Sequence, residues 1–134
     1  MNKTIIDKLA FIHIKDHQVL VTLSKGKDTW YIPGGKRELD ETDVQALTRE
    51  VKEELNVDLI PGSLTHFGTY QAPAHGKAEG TEVQMTCYMG NFTGSLQASS
   101  EIDKIDFFWF SQKDKTSLVD HQIFNALKEK GLIE

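Results

Sequence analysis

The sequence predicts an α/β fold in which a mixed β-sheet lies between helices. Stretches rich in β-branched and apolar residues precede, separate and follow two segments whose apolar residues recur at helical spacing. The chain has 134 residues, which is the usual size of one domain. Because strands and helices alternate, we expect helices on both faces of the sheet and a single domain over residues 1–134.

The N-terminal part is predicted to form a β-hairpin. Residues 5–14 and 19–23 are rich in β-branched and apolar residues, and residues 15–17 between them are turn-like. Residues 30–32 predict a short strand that stops at the Pro-Gly-Gly of residues 33–35, where we expect a loop.

The first helix is predicted over residues 42–55, where the apolar period changes to three- and four-residue steps. Its apolar stripe consists of Val44, Leu47, Val51 and Leu55. The candidates for its N-cap are Asp40, Thr42 and Asp43. Asn56 follows the last apolar position, and Asn often replaces Gly where a helix ends in a left-handed residue.

The second half of the chain predicts three strands and a closing helix. Residues 64–71 and 82–92 are the first two strands, joined by a loop over residues 72–80. Residues 105–110 form the third strand and residues 119–130 the helix, whose inner face carries Ile123, Phe124 and Leu127. Loops such as the one at 72–80 often carry substrate contacts.

Composition limits the function classes. A formal net charge of −5 argues against binding of a nucleic-acid polymer, because that needs a clustered excess of Lys and Arg. Cys87 is the single cysteine and is expected to be a buried apolar residue. We find neither a signal-peptide core nor a membrane span, and therefore expect a cytoplasmic protein without membrane partners.

Three carboxylates lie on one side of the first helix. Glu50, Glu53 and Glu54 stand at i, i+3 and i+4, where like charges repel one another. A divalent ion such as Mg²⁺ prefers carboxylate and water oxygens and commonly also binds substrate phosphates. The alternative is an ordinary solvated helix face, which is the commoner case for such a pattern alone.

The segment from Gly35 to Val57, GKRELDETDVQALTREVKEELNV, resembles the Nudix box. That pattern is Gly, five residues, Glu, seven residues, Arg-Glu, an aliphatic residue, any residue, Glu-Glu, any residue, Gly and an aliphatic residue. The matching residues are Gly35, Glu41, Arg49, Glu50, Val51, Glu53, Glu54 and Val57. Asn56 replaces the last Gly, a conservative backbone change because Asn tolerates the left-handed conformation.

The resemblance implies a Nudix-type α/β/α sandwich and a metal-dependent hydrolase. It implies that Glu50, Glu53 and Glu54 bind Mg²⁺, with Mn²⁺ as a possible substitute, and that water attacks phosphorus in a diphosphate. The expected substrates are small and nucleotide-like: nucleoside triphosphates, oxidised nucleotides, or nucleotide sugars such as ADP-ribose. A homodimer is possible, as in many relatives. The alternatives are a catalytically silent nucleotide sensor of the same fold and an acidic protein-interaction domain.

Further residues receive roles around this motif. We expect Arg49 to orient Glu53 at i+4, the alternative being a surface ion pair. Glu41 is expected to anchor the loop to the helix, and Gly35 to allow a tight turn near the metal. The resemblance also makes Glu101 a candidate metal ligand or general base, the alternative being a plain surface carboxylate. The candidate catalytic residues are therefore Glu53, Arg49, Glu50 and Glu101.

Substrate contacts are assigned to four residues outside the carboxylate set. Lys36 and Arg37 are candidates to neutralise phosphate charge, although loop cations are more often only solvated. Tyr70 is a candidate to stack on a base, although aromatic residues in strands more often fill the core. His75, in the 72–80 loop, is the fourth candidate, with simple solvent exposure as its alternative.

Overall fold

A computed structural model describes residues 4–74, 77 and 79–134 of the chain. The strands are β1 (Thr4–Ile12), β2 (Ile14–Lys15), β3 (Gln18–Ser24), β4 (Gly34–Lys36), β5 (Asp58–Leu59), β6 (Thr65–Pro73), β7 (Thr81–Met89), β8 (Phe92–Thr93) and β9 (Ile102–Phe108). The helices are α1 (Asp43–Leu55) and α2 (Leu118–Glu129), and short 3₁₀ turns lie at Pro61–Ser63 and Phe110–Lys115.

The central sheet is mixed. Its strands lie in the order β4-β1-β7-β6, in which β1 and β7 run parallel and the two outer pairs run antiparallel. A second sheet, antiparallel throughout, has the order β2-β3-β9, and β5 pairs with β8. The parallel pair lies at the centre, as expected for strands covered on both faces.

The side chains of β1 alternate between two hydrophobic clusters on opposite faces of the sheet. Leu9 and Phe11 pack in the cluster that contains Leu47, Val51 and Leu55 of α1. Ala10 and Ile12 pack in the cluster that contains the inner face of α2. Because neighbouring residues of a strand point to opposite faces, α1 and α2 cover the two sides of the sheet. The expected α/β/α sandwich is therefore confirmed.

Helix α1 begins and ends as its local sequence predicts. Of the three candidate caps, Thr42 accepts the Gln45 N–H at 3.1 Å, and the Gln45 side chain accepts the Thr42 N–H at 2.9 Å, which forms a capping box. At the other end Asn56 has a left-handed φ of 57°, and its N–H donates to the Lys52 carbonyl at 3.1 Å.

The predicted N-terminal hairpin is wrong for most of its length. Only the two-residue β2 pairs with β3, across a tight turn in which Asp16 and His17 both have positive φ. Strand β1 instead pairs along its whole length with the distant β7. Periodicity identified β1 as a strand but carries no information about its partner.

The prediction for residues 30–35 is also corrected. Trp30 and Tyr31 form only isolated bridges, whereas Gly34 and Gly35, expected in a loop, belong to β4 and pair with β1. A Cβ at Gly34 would collide with the Leu9 carbonyl oxygen. Gly34 therefore allows β4 and β1 to approach closely, rather than forming a turn.

Other boundaries shift by a few residues. Strand β7 ends at Met89 rather than 92, and β9 spans Ile102–Phe108 rather than 105–110. The pair β5 and β8 was not predicted, because two-residue strands leave no periodicity. In the described part of the chain, no helix is long and apolar enough to cross a membrane.

Candidate active site

A cavity of about 340 Å³ opens between α1 and the strands that face it. Side chains from separate elements meet in its wall, and those that carry charge or a hydroxyl include Glu50, Glu54, Glu101, Lys8, Lys36 and Tyr31. Its size is that of a small-molecule site. The cavity wall therefore includes two of the three motif glutamates together with the more distant Glu101.

Two glycines of β4 bring the backbone against the glutamates of α1. The Gly34 N–H donates to a carboxylate oxygen of Glu54 at 3.0 Å. A Cβ at Gly35 would overlap the carboxylate of Glu50. Gly35 is thus required for Glu50 to occupy its place, which gives a structural reason for this position of the motif.

Arg49 holds the loop against the helix through a fork of hydrogen bonds. Its Nε and Nη2 donate to the two carboxylate oxygens of Glu41 at 2.8 and 2.9 Å. Its Nη1 donates to Glu50 at 2.8 Å, and Nη2 also reaches the Lys36 carbonyl at 3.0 Å. Such bidentate, charge-assisted contacts fix orientation well.

The charges in this network shift the pKa of Glu41 and Arg49 in opposite directions. The hydrogen bond from Arg49, supported by the Glu38 N–H, lowers the pKa of Glu41 to about 2. The same pairing with Glu41 raises the pKa of Arg49. Both groups are therefore charged at neutral pH, and Glu41 contacts the helix through Arg49.

Arg49 and Glu53 are less closely associated than the i+4 spacing suggested. Their nearest atoms are 3.7 Å apart, whereas Arg49 hydrogen-bonds Glu41 and Glu50. The Glu53 side chain is 52% exposed and is not part of the cavity wall. The helix therefore presents Glu50 and Glu54 to the cavity, with Glu53 at the surface beside Arg49.

Burial raises the pKa of Glu50 and Glu54. Glu54 is 8% exposed, and its burial raises its pKa to about 8, against the opposing effect of the Gly34 N–H. The neighbouring charges of Glu50 and Glu101 act in the same direction as burial. Burial also raises the pKa of Glu50, although the hydrogen bond from Arg49 opposes it. Without a bound cation, the wall therefore disfavours ionisation of Glu50 and Glu54.

The donor set fits a hard divalent ion. Glu50, Glu54 and Glu101 offer carboxylate oxygens in one cavity, and their mutual repulsion is what a cation would relieve. Within the described residues, no three His, Cys, Asp or Glu side chains already surround a common point that could hold an ion. The chemistry of the ligands therefore agrees with a metal site, and the assignment of individual ligands stays a prediction.

The four residues assigned to substrate have different locations. Lys36 lies in the cavity wall. Arg37 does not, because its guanidinium pairs with Asp7 at 3.1 Å and with Asp43. Tyr70 packs against the α2-side hydrophobic cluster, near Phe67. His75 lies outside the described residues.

Sequence reasoning missed two charged residues beside the cavity. Lys8 lies on β1, on the face shared with Ile6 and Ala10, so a charge interrupts an apolar alternation that the sequence shows. Asp120 is fully buried on α2, where its Oδ2 accepts the Ile32 N–H at 3.3 Å and the Ser117 hydroxyl at 3.1 Å. Its burial raises its pKa to about 7.

Comparison with known proteins agrees with the motif and the fold. The family model described as the NUDIX domain matches residues 8–126. The chain therefore belongs to the Nudix family. It is also similar to a solved MutT NUDIX hydrolase from Burkholderia pseudomallei, with a TM-score of 0.72 and 20% identity over 94% of this chain and 98% of that one.

Two curated relatives match most of this chain. One is the m7GpppN-mRNA hydrolase of Saccharomyces cerevisiae, 28% identical over an alignment of 116 residues that covers 82% of this chain and 11% of that protein. The other is the ADP-ribose pyrophosphatase of Methanocaldococcus jannaschii, 29% identical over an alignment of 111 residues that covers 81% of this chain and 63% of that protein. The chain thus spans less than two thirds of the length of both relatives.

Proposed function

We propose that this protein hydrolyses a diphosphate linkage in a small nucleotide-like substrate, with Mg²⁺ as cofactor and water as the nucleophile. The observation that carries the proposal is the convergence of Glu50, Glu54 and Glu101 in one cavity of ligand size, where burial and the neighbouring carboxylates oppose ionisation of Glu54. The solvated helix face that is the alternative for this pattern would leave Glu54 exposed, whereas its exposed fraction is 8%.

The chain's own residues prepare the site before substrate enters. Glu41 and Arg49 hold Glu50 in place, and the Gly34 N–H holds Glu54. Lys36 brings positive charge to the cavity wall, where it favours phosphate. These contacts fix Glu50 and Glu54, which lie on α1 beside β4. A helix and a strand are more rigid supports than a loop.

We propose that four glutamates hold the cation: Glu50, Glu53 and Glu54 of α1, and Glu101. When bound, Mg²⁺ polarises phosphoryl oxygens and promotes ionisation of the attacking water. Nudix hydrolases generally use divalent metals. Mn²⁺ has similar ligand preferences and is expected to substitute.

The relatives suggest which substrates to test first. One is named an ADP-ribose pyrophosphatase and the other hydrolyses a capped mRNA, and each such substrate contains a phosphoanhydride next to a nucleoside. We therefore propose a nucleoside diphosphate derivative, and test nucleoside triphosphates, their oxidised forms, nucleotide sugars and a capped oligoribonucleotide. The negative charge of the chain favours the small substrates.

The decisive experiment measures phosphate, pyrophosphate or nucleotide release from this panel, with Mg²⁺ and with EDTA. The native protein is compared with Glu54→Gln, Glu53→Gln and the control Glu129→Gln, an exposed glutamate on α2. We expect Mg²⁺-dependent turnover that falls at least about 100-fold in Glu54→Gln and is unchanged in Glu129→Gln.

Two outcomes would contradict the proposal. Turnover that survives both EDTA and Glu54→Gln would exclude a reaction that depends on this carboxylate set. No turnover of any substrate, together with micromolar nucleotide binding, would indicate a nucleotide sensor of the same fold instead.

A further inference from the structure

A second, smaller cavity of about 120 Å³ adjoins the acidic one. The two cavities share Lys8, Tyr31 and Met85 in their walls. Most of the other side chains in the wall of the smaller cavity are apolar, Ile6 and Val83 among them, but Lys77 and Ser117 also line it. Because it is too small to take a whole nucleotide, it is a side pocket for one group of a ligand.

Lys8 lies at the boundary between these two cavities. Its side chain is only partly exposed, yet within the described part of the chain its ammonium makes no hydrogen bond and no ion pair. Its one contact of note is with the ring face of Tyr31, 5.9 Å from the Nζ atom to the ring centroid. An ammonium has three donors, so Lys8 can donate to a ligand in these cavities without breaking a described contact.

Three carboxylates act on the Lys8 ammonium from two sides. Glu50 and Glu54 lie on the side of the larger cavity and Asp120 on the side of α2, and all three attract the ammonium without pairing with it. Burial nevertheless lowers the pKa of Lys8, since these attractions do not compensate for lost hydration, and Lys36 adds repulsion. A ligand anion in direct contact would supply what these carboxylates do not.

We propose that Lys8 is a substrate-positioning residue whose ammonium binds the phosphate joined directly to the organic group, at the boundary between the acidic cavity and its apolar side pocket. This assignment rests on the proposed hydrolysis of a diphosphate. It implies that the diphosphate lies along the acidic cavity and that part of the organic group enters the side pocket. A substrate that has phosphate at this junction is thereby selected over one that lacks it.

The test compares binding of ligands that differ only in that phosphate. Calorimetry with the four ribonucleoside 5′-monophosphates and the four matching nucleosides is carried out in Mg²⁺ and in EDTA, because neither ligand class contains a diphosphate to hydrolyse. The proteins are native, Lys8→Met, Lys8→Arg and Lys8→Gln. Lys104→Met, which removes an exposed lysine from β9, controls for loss of one positive charge.

We expect the native protein to bind at least one monophosphate more tightly than its nucleoside. Lys8→Met and Lys8→Gln should weaken monophosphate binding about tenfold or more and change nucleoside binding less than about twofold. Lys8→Arg and Lys104→Met should retain most of the affinity for monophosphates. Since Gln keeps a polar end, Lys8→Gln allows the comparison with Lys8→Arg even when the Met variant is unstable.

The contrary results are distinct. Equal weakening of monophosphates and nucleosides in the Lys8 variants would make Lys8 a purely structural residue and overturn the proposal. Native binding that does not favour monophosphates would overturn it as well. Absence of turnover in the substrate panel, with the phosphate-dependent effect of Lys8 intact, would remove the hydrolase assignment but leave Lys8 as a phosphate-binding residue.

Discussion

Gly35 shows how a single missing side chain positions a charged group. The space that a Cβ would occupy is filled by the Glu50 carboxylate, which therefore lies directly against the β4 backbone. No other residue type leaves that space open. The conformational freedom of glycine is not involved, because Gly35 is not among the residues with positive φ.

The first prediction follows from this contact. Gly35→Ala should displace Glu50 and lower kcat at least about tenfold, because a shift of about 1 Å in a catalytic group is costly. Gly62→Ala is the matched control, since a Cβ there meets nothing within 4 Å, and it should leave kcat unchanged. The measurement is steady-state kinetics on the best substrate of the panel. Equal activity in the two variants would show that the position of Glu50 does not matter.

The Arg49–Glu41 pair supports the second prediction. Arg49→Lys keeps the charge but loses the fork to Glu41 and the bond to Glu50, so kcat should fall about 10- to 100-fold with a smaller change in KM. Glu41→Gln should reproduce part of this loss. Because the two residues act as one unit, the double variant should lose far less than the product of the single losses. Multiplicative losses in this double-mutant cycle would contradict a shared positioning role.

At the scale of elements, helix α1 is the part of the fold that local sequence determines most fully. Its stripe, its Thr42 cap and its left-handed end at Asn56 are each encoded by adjacent residues. The helix also carries the motif glutamates, so the same segment predicted much of the acidic cavity. The third glutamate of the cavity wall, Glu101, was suggested by family resemblance rather than by a local sequence pattern.

The elements that sequence did not predict depend on contacts between distant segments. Strand β1 pairs with β7, more than 70 residues away in the chain, and β4 consists of two glycines and a lysine that have little strand preference. Lys8 in the cavity wall and the buried Asp120 were missed for the same reason: their role depends on what packs beside them. An apolar alternation interrupted at Lys8 was the one local signal available.

The end of α1 gives the third prediction. Asn56 holds φ 57° where the Nudix pattern has Gly, so Asn56→Gly should leave activity within about twofold of native. Asn56→Ala should lower the free energy of unfolding by about 1 kcal/mol, because Ala adopts the left-handed conformation less readily than Asn. Urea unfolding of the three proteins measures this. A more stable Ala variant would show that the backbone conformation is not what Asn56 provides.

At the scale of the whole molecule, Asp120 connects helix α2 with the segment before β4, which is distant in sequence. It lies on α2, is fully buried, and binds the backbone of Ile32, which precedes β4. Ser117 donates to the same carboxylate oxygen, and the other oxygen, Oδ1, has no partner among the described residues. Lys8 attracts this carboxylate and thereby lowers its pKa, but burial outweighs all the contacts that favour the charged form.

The fourth prediction is a pH dependence of stability. The pKa of Asp120 is about 7 in the folded protein and 3.8 as the ordinary value, so between these pH values the folded state holds a proton that the unfolded chain has lost. Folding therefore takes up a proton in this window, and the contribution of Asp120 to stability is largest below about pH 4 and is lost as the pH rises through about 7.

Asp120→Asn removes this titration while keeping an oxygen that can accept the Ile32 N–H. In urea unfolding between pH 4 and 8 with EDTA, the native protein should lose stability relative to Asp120→Asn, on the order of a few kcal/mol across the window. Taking the difference between the two proteins cancels the contribution of Glu54, whose raised pKa acts in the same direction. Asp103→Asn changes an exposed residue on β9, and its free energy of unfolding should depend on pH as that of the native protein does. If the stability of Asp120→Asn changes with pH as that of the native protein does, the carboxyl group of Asp120 is ionised over the whole range from pH 4 to 8. The Lys8 ammonium then has a full negative charge near it in the free protein.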